Sequence, residues 1–217
     1  VAVAQMARRV PSNDQSAEEV LRQRPDVVVA DAFSDPTTVA MLRRLNMPLI
    51  VLPYAGDFAA IRATTLDLGH RIGAITRAER LAQRIDHGLE LLAASPLPRR
   101  PRVAAWDGSG RLPPRGSLYD AVIEAAGADN VGRAWRGSYR IEGLIATRPD
   151  YLLHDDKVAR SGARVSALVG HPLVRRLYAG RQIVIPQEQL VCGTPATIDA
   201  TIALNQALRA ALLRQPA

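Results

Sequence analysis

The chain has 217 residues, 47% of them hydrophobic, which is enough for a core in one large domain or two small ones and excludes a disordered chain. The net charge is +7, but all except one of the 28 basic residues are arginine and the longest basic run is the "RRPR" at 99–102; this scatter reads as codon bias and points to no nucleic-acid partner. No apolar run approaches the roughly 20 residues of a membrane helix, the opening "VAVAQMARRVPSND" lacks the order of a signal peptide, and a single cysteine excludes an internal disulfide.

In chain order, Ser16 and Glu19 have the spacing of a capping box and open a short helix, which Pro25 ends because the residue before a proline is pushed out of helical geometry. "DVVVAD" follows as an unbroken apolar run, the pattern of a parallel strand covered on both faces. A helix from Pro36, a strand ending near Tyr54 and a helix over "GDFAAIRATTLDLGHRIG" come next. Thr76 and Glu79 form a second capping-box spacing, opening a long helix with Leu81, Ile85, Leu89 and Leu92 along one face; about 18 residues would span roughly 27 Å. After the break "SPLPRRPR" come a strand "RVAAW", a helix "SLYDAVIEAAG", a helix and strand ending in "DYLLH", a strand "RQIVIP" and a terminal helix from about Thr194. Strands alternating with helices predict α/β lobes with parallel sheets.

One phrase occurs twice. "EEVLRQRPDVVV" from Glu18 and "EGLIATRPDYLL" from Glu142 align Leu21 with Ile145, Arg24 with Arg148, Pro25 with Pro149 and Asp26 with Asp150. Each spells helix, tight turn, buried strand. A separation of 124 positions is too long for a solenoid repeat and predicts two related lobes.

The order of these pieces, with "GSLYDAVIEAAGADNVGR", "HPLVRRLYAGRQIVIP" and "CGTPATIDATIAL", resembles the class III periplasmic substrate-binding proteins of ABC importers for vitamin B12, haem and ferric siderophores. That resemblance implies two Rossmann-like lobes with parallel sheets, joined by one long helix, with the ligand in the cleft between them. It divides the chain into a shortened N-terminal lobe over 1–60, a helical connector over 61–95 and a C-terminal lobe over 96–217. It also implies a non-catalytic extracytoplasmic protein, periplasmic in location, that delivers a metal chelate to the membrane subunits of an ABC permease. Glu18 and Glu142 match the glutamates that dock such proteins onto permease arginines; each lies in a helical first turn, where the dipole favours an ionised carboxylate.

Ligands of open α/β sheets lie beyond the carboxyl ends of the strands. Phe33, Tyr54 and Trp106 fall at three such ends and offer rings to a macrocycle or catecholate. Arg136 and Tyr139, in an expected loop before the second repeated helix, and His154 complete the candidate ligand contacts. The run His154, Asp155, Asp156 lacks the separated partners of a chelating site, so no protein-only metal site, resident cofactor or catalytic residue is expected. No nucleophile elbow, phosphate loop, dinucleotide fingerprint or zinc helix occurs, and Cys192 reads as a buried small apolar residue. The alternative is a chelatase-like enzyme or metallochaperone using the His154 region. With only two strands evident in it, the first lobe looks incomplete; its open edge is expected to be covered either by a second copy, giving a homodimer, or by the segment 1–10.

Overall fold

The computed structural model describes residues 9–10, 12–106, 112–134, 141–155, 171–186, 189–190 and 192–214. They divide into two compact units, Val1–Tyr54 and Ala55–Ala217.

The first unit holds α1 (Ala17–Arg22), β1 (Val28–Asp31), α2 (Pro36–Arg44) and β2 (Leu49–Leu52). Strands β1 and β2 form a two-stranded parallel sheet in the register Val28 to Leu49. The expected capping box at Ser16 is only half formed. The Ser16 hydroxyl accepts from Glu19 N–H at 3.3 Å, but the Glu19 carboxylate takes the Asp14 amide at 2.6 Å, two residues further back, while Ser16 N–H goes to Asp14 Oδ1. Helix α2 is capped by Asp35, whose carboxylate accepts from Thr38 N–H at 2.8 Å, with Pro36 at the first helical position, where its missing N–H costs nothing.

The second unit begins with α3 (Phe58–Arg71) and α4 (Ile75–Ala93), followed by β3 (Arg102–Trp106), α5 (Leu118–Ala125), β4 (Asp129–Asn130), a 3-10 turn (Val131–Ala134), α6 (Ile141–Thr147), β5 (Tyr151–Asp155), α7 (Pro172–Leu177), β6 (Gln182–Ile185) and α8 (Thr197–Leu213). Among the described residues its four strands are all parallel, in the order β4-β3-β5-β6. Side chains alternate between two cores. Val103, Ala105, Tyr151 and Leu153 pack with α4, α5 and α8, whereas Ala104 and Leu152 pack with Leu144 of α6 and with Val174 and Tyr178 of α7. A sheet covered on both faces explains why its strands read as continuous apolar runs.

Helix α4 departs from the sequence reading at its start. Gly73 takes φ +70 and ends α3, and α4 resumes at Ile75 with Ala74 as an N-cap that makes no side-chain hydrogen bond, so Thr76 lies inside the helix and caps nothing. Its buried stripe is Ala78, Ala82, Ile85, Gly88 and Leu92, rotated from the expected leucine row because small residues let other helices come close. A Cβ at Gly88 would stand 2.2 Å from Ile198 Cγ1 of α8, a contact only glycine permits. Helix α8 starts at Thr197, three residues after the expected position.

The repeated phrase is a repeated structure. Arg24 and Arg148 both adopt the left-handed conformation, φ 47 and 45, just before their prolines. Arg24 N–H donates to the Leu21 carbonyl at 3.1 Å and Arg148 N–H to that of Ile145 at 3.2 Å. Four positions on, Val28 N–H reaches the Pro48 carbonyl and Leu152 N–H that of Arg181, at 2.8 and 2.9 Å, the same entry into a parallel pair. In each copy a second helix, opening on a proline, then leads to the neighbouring strand.

Candidate ligand-binding face

Strand β1 ends in a turn built to project one side chain. Asp31 Oδ1 accepts from Phe33 N–H at 2.9 Å and from the Ser34 hydroxyl at 3.1 Å. Ser34 Oγ in turn receives the Asp31 N–H at 3.1 Å, and Ser34 N–H closes on the Asp31 carbonyl. Such a side-chain-locked turn fixes the backbone and leaves Phe33 at its tip. Phe33 is 77% exposed. Tyr54, just beyond β2, stands against it edge to face, with centroids 5.6 Å apart and planes at 77°, and is itself 45% exposed. The pair contributes about 0.5–1.5 kcal/mol to its own arrangement, yet leaves most of the phenylalanine face to solvent. The two partly exposed rings lie at the carboxyl end of a parallel sheet, the end beyond which ligands of open α/β sheets bind.

The other expected contacts have different surroundings. Trp106 is the last residue of β3, paired in register with His154 of β5. His154 is only 3% exposed, on the face of β5 shared with Leu152, and its Nε2 lies 3.2 Å from Gln182 Oε1. Arg136, Tyr139 and Asp156 lie outside the described residues. Glu18 is exposed in the first turn of α1, and Glu142 occupies the corresponding turn of α6. Among the described residues no group of three or more His, Cys, Asp or Glu is placed to hold a metal ion. Cys192 corrects the sequence reading, being exposed. The neighbouring Gly193 backbone takes the inner position, where a Cβ would come within 2.5 Å of the Ala55 carbonyl, and this leaves the thiol on the outside.

A polar cluster at the same end of the second unit's sheet has no signal in the sequence pattern. Asp120 of α5 is 4% exposed. Its carboxylate accepts from Arg133 Nε at 2.6 Å and Nη2 at 3.2 Å, from Asn130 Nδ2 at 2.9 Å and from Gly116 N–H at 2.9 Å. Asn130 also donates to the Pro113 carbonyl and accepts from Gly132 N–H, which ties the loop after β3 to the loop after β4. Burial pushes the Asp120 pKa up, but the hydrogen bonds from Arg133, Asn130 and Gly116 outweigh it and hold the carboxyl below the ordinary value. The partners are 10 and 13 residues from Asp120 in sequence and meet only because β4 lies parallel to β3.

No protein-family model matches the chain, and a comparison with the curated proteins finds no match. Solved structures do. The periplasmic heme-binding protein BhuT in complex with two hemes superposes with a TM-score of 0.77 at 25% identity, over 91% of this chain and 80% of that one. The apo periplasmic heme-binding protein RhuT from Roseiflexus sp. RS-1 gives 0.77 at 26%, over 90% and 80%. The periplasmic vitamin B12 binding protein BtuF of Vibrio cholerae gives 0.67 at 18%, over 91% and 79%, a likeness of fold alone. The chain thus has the parallel α/β fold of the class III periplasmic substrate-binding proteins of ABC importers, which its motif order resembled.

Proposed function

We propose that this is a non-catalytic, periplasmic binding protein that captures a metal chelate, with an iron tetrapyrrole the first candidate, and hands it to the membrane subunits of an ABC permease. The observation that carries the reading is the exposed Phe33–Tyr54 pair on its locked turn, in a chain that shares 25–26% of its sequence with heme-binding proteins of the same fold. Covering Phe33, 77% exposed, with a ligand would remove up to about 1.5–3 kcal/mol of exposure cost. Trp106, Arg136, Tyr139 and His154 are the further contacts in this reading, with Arg136 supplying a cation for anionic ligand groups. Glu18 and Glu142 are its permease anchors, two carboxylates in equivalent turns of the repeated unit.

The chelatase or metallochaperone alternative gains no support, since the similar structures are binding proteins. A homodimer through the first sheet is likewise without support. Titration with haem, cobalamin, a ferric hydroxamate and a ferric catecholate tests the proposal: saturable binding of one of them, with the ligand recovered unchanged, is expected. Failure of all four, or chemical conversion of the bound one, would overturn it.

A further inference from the structure

If Phe33 is a ligand contact, its place has to be held by something other than packing. Phe33 is 77% exposed, too little buried for packing to fix it, and Tyr54, which meets it edge to face, is 45% exposed. Phe33 also lies beyond the β1–β2 ladder, whose last pair is Asp31 with Leu52.

The backbone at this point is held by one side chain. Asp31 Oδ1 accepts the Phe33 amide at 2.9 Å and the Ser34 hydroxyl at 3.1 Å, while Asp31 itself stays in register with β2. The Ser34 oxygen closes the ring of contacts by accepting the Asp31 amide at 3.1 Å. Downstream, Asp35 accepts the Thr38 amide at 2.8 Å and Pro36 fixes the first helical dihedral, which ties the far end of the turn to α2. Phe33 thus sits on the four-residue bridge 32–35, anchored to a strand at one end and a helix at the other, with its own amide bound to Asp31 Oδ1.

We infer that Asp31 is a positioning residue of the ligand face, one that sets affinity through Phe33 by holding that residue in place before the ligand arrives. The inference rests on the proposed function of that face. A side chain on a fixed turn loses little backbone freedom on binding, whereas one on a loose turn has to be ordered by the ligand, and that ordering weakens binding. The Oδ1 acceptor does this rather than the charge, because both groups it receives are neutral donors. Asparagine offers the same oxygen and forms the same kind of turn; alanine offers none.

Two measurements on the full chain test this. Asp31 is exposed at the strand end, so each variant is expected to fold. In the ligand-free protein, ¹⁵N relaxation is expected to give the Phe33 amide an order parameter of about 0.85, like that of Ala30 in β1, falling below about 0.6 in Asp31→Ala and returning in Asp31→Asn. In titrations with haem, cobalamin, a ferric hydroxamate and a ferric catecholate, the chelate that saturates the unaltered chain is expected to bind Asp31→Ala about tenfold more weakly and Asp31→Asn equally well. Added to Phe33→Ala, Asp31→Ala is expected to weaken binding no further, because it acts through that residue; an unrelated structural loss would add in full. A Phe33 amide that stays ordered in Asp31→Ala would overturn the inference, as would a loss of affinity that is the same size in the Phe33→Ala background. Failure of all four chelates to bind the unaltered chain would instead overturn the proposed function, and with it any part of Asp31 in binding, even with Phe33 ordered.

Discussion

Replacing Asp120 by alanine removes the carboxylate that joins α5 to the two loops following β3 and β4. The cost follows from what each partner retains. Arg133 keeps Glu124 at 3.2 Å and its side chain is 34% exposed, so water and the second carboxylate recover much of its loss. Asn130 keeps the Pro113 carbonyl at 3.0 Å but is buried, and it loses one of its donor bonds outright. The Gly116 amide loses its side-chain acceptor. With about 1 kcal/mol for each neutral bond and somewhat more for the discounted ion pair, the variant is expected to lose about 3 kcal/mol. Both tryptophans, Trp106 and Trp135, lie in the second unit, so fluorescence during urea unfolding reports it, and the midpoint is expected to fall by about 1.5 M. The effect also depends on pH. A carboxyl whose folded pKa lies below its unfolded value stabilises fully above about pH 4 and loses that contribution as pH falls through the folded value, so the deficit of Asp120→Asn shrinks on acidification. A loss under about 0.5 kcal/mol at pH 7, or a deficit that grows toward pH 3, would refute this account of the cluster.

Glu18→Ala and Glu142→Ala are expected to leave folding and ligand affinity unchanged while slowing uptake through the permease, the double variant more than either single one; a double variant that transports at the normal rate reduces both glutamates to helix starts. Trp106→Ala is expected to weaken ligand binding by about 1–3 kcal/mol, whereas a fall in melting temperature with affinity intact would assign the ring to the core. Gly88→Ala gains about 1 kcal/mol of helix propensity but drives a methyl into Ile198, so a net loss of about 1–2 kcal/mol is expected, recovered in part by Ile198→Val; a stabilised single variant would contradict the close approach of α4 and α8.

Much of this architecture is legible in the sequence, because local rules and long-range packing agree over the repeated unit. A proline after a short amphipathic helix ends it in any context, and the left-handed turns at Arg24 and Arg148 show the same local instruction obeyed twice. Apolar runs located five of the strands as parallel, but β1, expected to be covered on both faces, is not: Val29 is 47% exposed. Strand β4 was not legible, since two residues, Asp129 and Asn130, carry no periodicity and pair only through the register set by β3. The Thr76 cap failed because α3 and α4 nearly run together at Gly73, so tertiary packing of Gly69 against Ala78 decides where α4 begins. Asp120, Asn130 and Arg133 were invisible for a similar reason: their contact is a product of the crossover between adjacent parallel strands. At the candidate site, strand ends located Phe33 and Tyr54, but not the hydrogen-bonded turn that holds Phe33 out or the edge-to-face contact between the rings.

The central claim is that the exposed aromatic pair is a ligand face, and haem titration followed by its Soret absorption tests it most directly. The unaltered chain is expected to saturate with haem, and Phe33→Ala/Tyr54→Ala, both at exposed positions, is expected to bind at least about tenfold more weakly while remaining folded, with a stability loss no greater than the ~0.5–1.5 kcal/mol of the ring contact. Saturation with equal affinity in the double variant would contradict the claim, as would haem uptake that never saturates.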